Sequence, residues 1–225
     1  MHITFKAFIR YEPLLHLRNA AIALFLVAAP VSAAPVTLLA LGDSLTEGYG
    51  LPPEDGLVPQ LQAWLAAHGT PAQVLNAGVS GDTTAGGLSR LDWSLTPDVQ
   101  AVMVNLGGND MLRGLDPGLA RANLDAILAG IKARNLPVLL VALRAPPNYG
   151  AAYQASFDAM FAELAQAHGA LLANPYFDPL MTPQGQLDPQ FMQADGIHPN
   201  AKGVATLLET LGPQVQTLLA QVKSP

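Results

Sequence analysis

Two distant segments of this chain carry residues whose types and spacing could do nucleophilic chemistry. Ser44 follows Gly42-Asp43, and Asp195 lies three residues before His198 near the other end of the chain. A serine hydroxyl is a weak nucleophile that needs a base within hydrogen-bond reach. In a tight loop Asp195 can accept from Nδ1–H of His198 while Nε2 faces the serine. This pattern predicts a catalytic triad of Ser44, His198 and Asp195.

Two further segments supply groups that can stabilise negative charge on an oxygen atom. Gly81 can offer its backbone N–H to a developing oxyanion, and Asn109 can offer its side-chain N–H₂. Taken singly, each segment has a simpler interpretation: Gly42-Asp43-Ser44 is more typical of a capped helix start, and a lone histidine is more often structural. The four segments together favour chemistry, because they provide nucleophile, base, orienting carboxylate and oxyanion donors.

A metal-dependent hydrolase is a competing interpretation of the same residues. Four carboxylates fall near predicted strand ends: Asp43, Asp82, Asp110 and Asp195. A hydrolytic metal site needs several ligands that converge, and His198 is the one histidine expected at this rim. The other four lie in the N-terminal segment or at predicted helix ends: His2, His16, His68 and His168. We therefore expect no metal and no cofactor, and we expect the first three aspartates to cap helices and brace loops.

The elements that must position these residues alternate between strand and helix. Apolar runs over 36–41, 73–77, 101–106, 138–143 and 170–173 predict five parallel strands buried on both faces. Helices are predicted over 56–68, 84–95, 117–135, 153–168 and 201–221, with a kink at Pro213. The fold class is thus α/β, a three-layer α/β/α sandwich around a central five-stranded parallel sheet. Open sheets of this kind bind ligands at the carboxyl ends of their strands.

Composition and charge limit the partners of the protein. With 225 residues, 50% of them hydrophobic, the chain is expected to form one well-packed domain. The sequence has no cysteine, which excludes disulfides, a lipoprotein attachment site and a thiol nucleophile. The net charge of −6 argues against nucleic acid as a partner and against a polybasic membrane-docking face.

The first 33 residues are typical of an export signal. Arg10 and Arg18 precede an apolar run over 20–29, and small residues at 32–34 suit cleavage after Ala33. The uninterrupted run is about half of the ~20 residues that span a bilayer, which disfavours a retained membrane anchor. We expect a signal peptide over 1–33, a single domain over 34–225, and a periplasmic or secreted protein with no stable membrane anchor.

The four segments resemble the sequence blocks of the SGNH hydrolases, also called the GDSL lipase and esterase superfamily. The matching residues are Gly42-Asp43-Ser44-Leu45, Gly81, Gly107-Gly108-Asn109-Asp110 and Asp195-Gly196-Ile197-His198-Pro199. The chain looks closest to the periplasmic thioesterase I, lysophospholipase and arylesterase branch, through Ser80-Gly81-Asp82-Thr83, Leu112-Arg113-Gly114 and Asn148-Tyr149-Gly150. The resemblance covers essentially the whole chain after the signal.

The resemblance implies a flavodoxin-like fold and a triad of Ser44, Asp195 and His198. It also implies that the Ser44 and Gly81 N–H groups and the Asn109 side chain bind the oxyanion. The residues that it places at the substrate are Asp43, Met111, Leu112, Pro146, Tyr149 and Ile197. A mobile loop over 111–116 is expected to cover the acyl chain. Departures from the family pattern lie in that loop and after Tyr149, which leaves acyl-chain length open.

Taken together, the residues and the resemblance predict an exported serine esterase or thioesterase that hydrolyses acyl lipids or aryl esters through an acyl-serine intermediate. One alternative keeps the triad but changes the substrate, giving an acetylesterase or transacylase of cell-wall or extracellular polysaccharide. Another alternative, a noncatalytic lipid- or carbohydrate-binding protein, is disfavoured by the complete set of catalytic positions. No oligomeric state is predicted.

Overall fold

The structure, a computed structural model, describes residue 2 and residues 35 to 223. The predicted signal peptide lies outside the described residues, apart from residue 2. Five parallel strands form one sheet in the order β2-β1-β3-β4-β5. Their bounds are β1 Val36–Gly42, β2 Ala72–Gly78, β3 Ala101–Asn105, β4 Val138–Val141 and β5 Leu171–Ala173. This flavodoxin-like order places a switch point between β1 and β3, where ligands bind in such sheets.

Helices cover the sheet on both faces, which confirms the three-layer α/β/α architecture. The helices are α1 Ser44–Glu47, α2 Leu57–Ala67, α3 Thr84–Ser89, α4 Leu91–Ser94, α5 Gly108–Leu112, α6 Pro117–Ala133, α7 Ala151–His168 and α8 Ala201–Leu219. Helices α2 and α8 pack together on one face, while α3, α6 and α7 pack on the other. Within residues 35 to 223, no helix combines the length and the apolar composition needed to cross a bilayer.

The core is built by the apolar faces that the sequence pattern predicts. On α6, one predicted face is fully buried, and it consists of Leu124, Ile127, Leu128 and Ile131. Burying a side chain of this kind contributes about 1.5–3 kcal/mol. The long helix α8 continues through Pro213 and is buried along one side. These faces fix the sheet and its two layers as a rigid base for the loops at the strand ends.

Two sequence-based expectations are wrong in detail. Burial on both faces holds for β1, β3 and β4, but β2 and β5 form the sheet edges and are partly exposed, with Leu172 of β5 44% exposed. The predicted helix over 84–95 is divided at Arg90 into α3 and α4. The Arg90 side chain turns toward the sheet, where Nη2 donates to the Gly42 carbonyl at 2.8 Å. A local helical pattern carries no sign of this distant partner.

The register of the sheet brings three loops together at the carboxyl ends of its strands. Gly42 at the end of β1 lies between Gly78 of β2 and Asn105 of β3. The segments that carry Ser44, Gly81 and Asn109 therefore leave the sheet side by side. The fold thus places the predicted nucleophile and the two predicted oxyanion donors at the switch point.

Candidate active site

Ser44 is the first residue of the short helix α1, directly after the central strand β1. Asp43 caps this helix, because its Oδ1 accepts from the Leu45 N–H at 3.0 Å. A side chain at Gly42 would collide with Thr46, so the chain needs glycine there to turn this tightly. The turn holds Ser44 half-buried at the wall of a cleft.

The loop before α8 carries His198 to this serine. His198 Nε2 lies 2.9 Å from Ser44 Oγ, and His198 Nδ1 lies 2.7 Å from Asp195 Oδ2. The other carboxylate oxygen, Oδ1, accepts from the backbone N–H groups of Ile197 at 2.9 Å and His198 at 3.0 Å. These distances are in the normal hydrogen-bond range. The structure therefore brings the three residues of the predicted triad together in the predicted order.

The Asp195 carboxylate is held in its charged form. The hydrogen bond from His198, together with the two backbone N–H groups, lowers its pKa from 3.8 to about 2. A carboxylate that stays ionised fixes the tautomer and direction of the imidazole and stabilises its protonated form. In this geometry Nε2 is free to accept a proton from Ser44.

The two predicted oxyanion donors lie beside this serine on the walls of the same cleft. Gly81 has a φ of +82°, in the region that favours glycine, and Asn109 lies in α5. Within the part of the chain that the structure describes, the N–H groups of Ser44 and Gly81 donate to no protein acceptor. Asn109 Nδ2 donates to the Asp82 carbonyl at 3.0 Å and, at a longer 3.4 Å, to Asp43 Oδ2. These N–H groups can serve a developing oxyanion.

Asp43 lies beneath the site and is 2% exposed. Burial raises its pKa from 3.8 to about 6, against the lowering effect of the Leu45 N–H, of nearby His198 and of the Asn109 side chain. The charged form of a buried carboxylate is disfavoured because the protein interior solvates it poorly. Asp43 therefore combines a structural cap with an ionisable group close to the reacting atoms.

Asp82 and Asp110 brace the loops around the cleft, as predicted. Asp82 accepts from Arg90 Nε at 2.7 Å. Asp110 is buried and accepts from the Thr84 N–H at 2.8 Å and from Thr84 Oγ1 at 2.7 Å. Among residues 35 to 223, no three histidine or acidic side chains converge as metal ligands.

The cleft beside the triad has a volume of about 730 Å³ and mostly apolar walls. Of the predicted substrate-binding residues, five line it: Asp43, Met111, Leu112, Pro146 and Ile197. Tyr149 is not brought to the cleft wall; its ring stacks on Tyr153 with 5.0 Å between centroids. The expected loop over 111–116 also differs, since Met111 and Leu112 form the last turn of α5. The Met111 N–H bonds the Gly107 carbonyl at 3.0 Å and thereby extends the helix into this segment.

Sequence reasoning missed several residues of the site. The residues that line the cleft also include Phe177, Met181 and Leu187, from the long connection between β5 and α8. Tyr49 places its ring 4.7 Å from that of His198. The connection has no strand or helix period to draw attention to it. Arg144, which also lines the cleft, follows the end of β4, so the strand-end rule could have found it.

A serine, a histidine and an aspartate in hydrogen-bond contact at the switch point of a flavodoxin-like sheet define the class of α/β serine hydrolases. Comparison with known proteins specifies the class further: residues 40–205 match the GDSL-like Lipase/Acylhydrolase family. The chain belongs to this family. It is accordingly a serine hydrolase that acts on ester bonds.

Individual relatives resemble the chain over most of its length. Esterase TesA of Pseudomonas aeruginosa is 39% identical over 197 residues, which cover 87% of this chain and 96% of that protein. Thioesterase 1/protease 1/lysophospholipase L1 of Escherichia coli K12 is 38% identical over 193 residues, covering 84% and 87% respectively. Among solved structures, the SGNH-hydrolase family esterase AlinE4 superposes with a TM-score of 0.68 at 40% identity, covering 83% of this chain and 98% of that one.

Proposed function

We propose that this protein is an exported esterase and thioesterase that hydrolyses acyl lipids or aryl esters through an acyl-serine intermediate. One observation carries the proposal: the 2.9 Å contact between Ser44 Oγ and His198 Nε2 at the wall of a largely apolar cleft. The names of the two curated relatives, an esterase and a thioesterase with lysophospholipase activity, support the same substrate class.

In the first half of the reaction, Ser44 Oγ attacks the acyl carbonyl carbon while His198 Nε2 takes the hydroxyl proton. The resulting oxyanion is bound by the N–H groups of Ser44 and Gly81 and by the Asn109 side chain. Asn109 then exchanges its long contact with Asp43 for one with the substrate oxygen. When the tetrahedral intermediate collapses, the bond to the leaving oxygen or sulfur breaks, and His198 gives it the proton.

In the second half, water replaces the departed alcohol or thiol. His198 takes a proton from the water molecule as its oxygen attacks the acyl-serine carbonyl carbon. The same N–H groups bind the second oxyanion. Collapse releases the carboxylic acid and returns the proton from His198 to Ser44 Oγ. Asp195 stays ionised throughout and holds the imidazole in place.

The shape and lining of the cleft support an acyl chain as the group that occupies it. Met111, Leu112 and Ile197 offer apolar contacts next to the triad. Apolar contact of this kind contributes about 0.8 kcal/mol for each methylene removed from water. An acetylated sugar would leave most of this surface unused, so the cleft favours acyl lipids and aryl esters over acetylated polysaccharide.

Export is proposed from the sequence of residues 1–33, with cleavage after Ala33 releasing a single domain over 34–225 into the periplasm or the medium. Expression of the full chain followed by cell fractionation and N-terminal sequencing tests it. A new N-terminus at Ala34 in the periplasmic or extracellular fraction is expected. An intact N-terminus on protein retained in the cytoplasm would contradict export.

The catalytic proposal is tested with a fluorophosphonate probe and a panel of acyl esters and thioesters of increasing chain length. We expect the probe to label Ser44, as shown by peptide mass spectrometry, and Ser44→Ala to abolish both labelling and hydrolysis. Ser89→Ala is a matched control, because Ser89 is exposed and its hydroxyl, among the residues that the structure describes, bonds only the Gly86 carbonyl. Labelling of another residue, or hydrolysis by Ser44→Ala at the wild-type rate, would contradict the proposal.

A further inference from the structure

The turn that carries Gly81 has little internal support. The turn is closed by one backbone hydrogen bond, from the Asp82 N–H to the Val79 carbonyl at 3.0 Å. Gly81 itself has no side chain and a φ of +82°. Glycine peptides of this kind rotate easily, because no Cβ restricts them. An oxyanion donor must nevertheless point at one place before the reaction begins.

On one side, the turn is held by Glu47, the last residue of α1. Glu47 Oε2 accepts from the Ser80 backbone N–H at 2.7 Å and also from the Ser80 hydroxyl. Glu47 is itself placed firmly, since its backbone packs so closely on Gly78 that no side chain would fit there. The backbone carbonyl of Glu47 also accepts from Asn76 Nδ2 at 3.2 Å. The carboxylate therefore fixes Ser80 relative to the helix that begins with the nucleophile.

On the other side, the turn is held by Arg113, which follows α5. Arg113 Nη2 donates to the Gly81 carbonyl at 2.7 Å. The backbone N–H of Arg113 bonds the Asn109 carbonyl at 3.1 Å, so this arginine is tied to the helix that carries the other predicted oxyanion donor. Hydrogen bonds to ionised groups are roughly twice as strong as neutral ones. The peptides on both sides of the Gly81 N–H are thus each held by a charged side chain.

We propose that Glu47 and Arg113 are positioning residues that together aim the Gly81 N–H at the oxyanion. The inference rests on the proposed function and adds two residues to it. In the described part of the chain, neither side chain lines the cleft; Glu47 acts through Ser80, and Arg113 acts through the Gly81 carbonyl. Both side chains are exposed, where charged contacts contribute little to folding. Their contribution should therefore be seen in the rate of acylation and not in stability.

The test compares two truncations with two conservative variants. Glu47→Ala and Arg113→Met should lower kcat/KM for p-nitrophenyl butyrate about tenfold or more, short of the roughly 10²- to 10³-fold loss for removal of a donor. Glu47→Gln keeps an oxygen that accepts from Ser80, and Arg113→Lys keeps a cationic donor. These two conservative variants should therefore recover a substantial part of the kcat/KM lost in the truncations. Rates are normalised to active sites titrated with fluorophosphonate.

A second measurement separates positioning from binding. In a Ser44→Ala background, Glu47→Ala and Arg113→Met should leave the dissociation constant of the same ester within about twofold, since the ground-state ester does not need the oxyanion donor. The double variant Glu47→Ala/Arg113→Met should lose less than the product of the two single losses, because both act on one turn. Glu163→Ala and Arg121→Met are matched controls, taken from an exposed ion pair away from the cleft; they should leave the rate unchanged.

Several results would overturn the inference. The inference fails if Glu47→Ala and Arg113→Met both retain the wild-type kcat/KM. It also fails if the matched controls lose as much activity as these two variants. A loss that follows the melting temperature and is not recovered by Glu47→Gln or Arg113→Lys would mean that these residues serve folding. Failure of the proposed function is distinguishable, since in that case the wild-type protein does not hydrolyse esters or Ser44→Ala is as active as wild type.

Discussion

Ser44 Oγ and His198 Nε2 lie 2.9 Å apart although 154 residues separate them in the sequence. The serine is held by the central strand of the sheet, and the histidine lies just before α8, whose first turn is capped by Asn200 through the Gly203 N–H at 2.9 Å. Both β1 and α8 pack into the hydrophobic core. The contact between nucleophile and base is therefore formed by the fold itself, before any substrate is bound.

The first prediction concerns the orientation of His198. Asp195→Asn should lower kcat on the order of 10⁴-fold, because an amide can hold the imidazole in the wrong tautomer. The fold should persist, since the asparagine oxygen can still accept from the Ile197 and His198 N–H groups. Steady-state hydrolysis of p-nitrophenyl butyrate and circular dichroism measure the two effects. A variant with near-wild-type kcat would show that Asp195 does not orient the base.

The same carboxylate gives a prediction about acid stability. Because folding lowers the pKa of Asp195 from 3.8 to about 2, its contribution to the free energy of unfolding is fully present above pH 3.8. It is lost as the pH falls toward 2. The stability difference between wild type and Asp195→Asn should therefore shrink across this interval in urea unfolding followed at several pH values. A difference that stays constant from pH 5 to pH 2 would contradict the charged hydrogen bond.

Asn109 gives a prediction about the oxyanion. Asn109→Ala removes one donor and should reduce kcat about 10²- to 10³-fold while the protein stays folded. Asn148→Ala is the matched control, because Asn148 is exposed and does not line the cleft. It should change the rate less than tenfold. Equal rates for the two variants would remove Asn109 from the oxyanion site.

For Asp43, the expected change of stability with pH is opposite to that for Asp195. Burial raises the pKa of Asp43 from 3.8 to about 6, so the folded state binds its proton more tightly than the unfolded state does. The free energy of unfolding therefore falls as the pH rises through this interval. Asp43→Asn keeps an oxygen to cap the Leu45 N–H and removes the buried charge. Above pH 6 the variant should be more stable than wild type by an amount on the order of 1–3 kcal/mol.

The pH dependence separates this explanation from a general packing effect. Well below pH 3.8 Asp43 is protonated in both folded and unfolded wild type, so the gain from Asp43→Asn should vanish there. Urea unfolding at pH 3, 5, 6 and 8 gives the comparison. A gain of equal size at every pH would show that the buried charge is not its cause.

How far the sequence predicted this site depends on how local each signal is. Asp195 and His198 are three residues apart in one loop, and Gly42 directly precedes the turn to Ser44, so both segments were identifiable from short patterns. The strands were identifiable because buried parallel strands are continuous apolar runs. In contrast, Arg90, at which the predicted helix is divided, bonds the Gly42 carbonyl 48 residues away, and no local pattern indicates this partner.

Residues of the cleft wall that come from irregular loops were even harder to predict from local sequence patterns. Phe177 and Met181 lie in a connection without strand or helix period, and tertiary packing alone brings them to the cleft wall. Tyr149 illustrates the converse, since the family pattern that points to it does not show that its ring stacks on Tyr153. Positions of this kind depend on how loops fold over the sheet, which local sequence does not encode.

The last prediction concerns the acyl chain. Leu112 is 52% exposed and lines the cleft, whereas Leu119 is 60% exposed and does not. Leu112→Ser should reduce kcat/KM for p-nitrophenyl decanoate about three- to tenfold relative to the acetate, because lost methylene contacts are worth about 0.8 kcal/mol each. Leu119→Ser should leave the ratio unchanged, and both variants should melt close to wild type, since substitutions at exposed positions rarely change stability by more than about 0.5 kcal/mol. If the two variants give the same decanoate-to-acetate ratio, the acyl chain does not lie against α5.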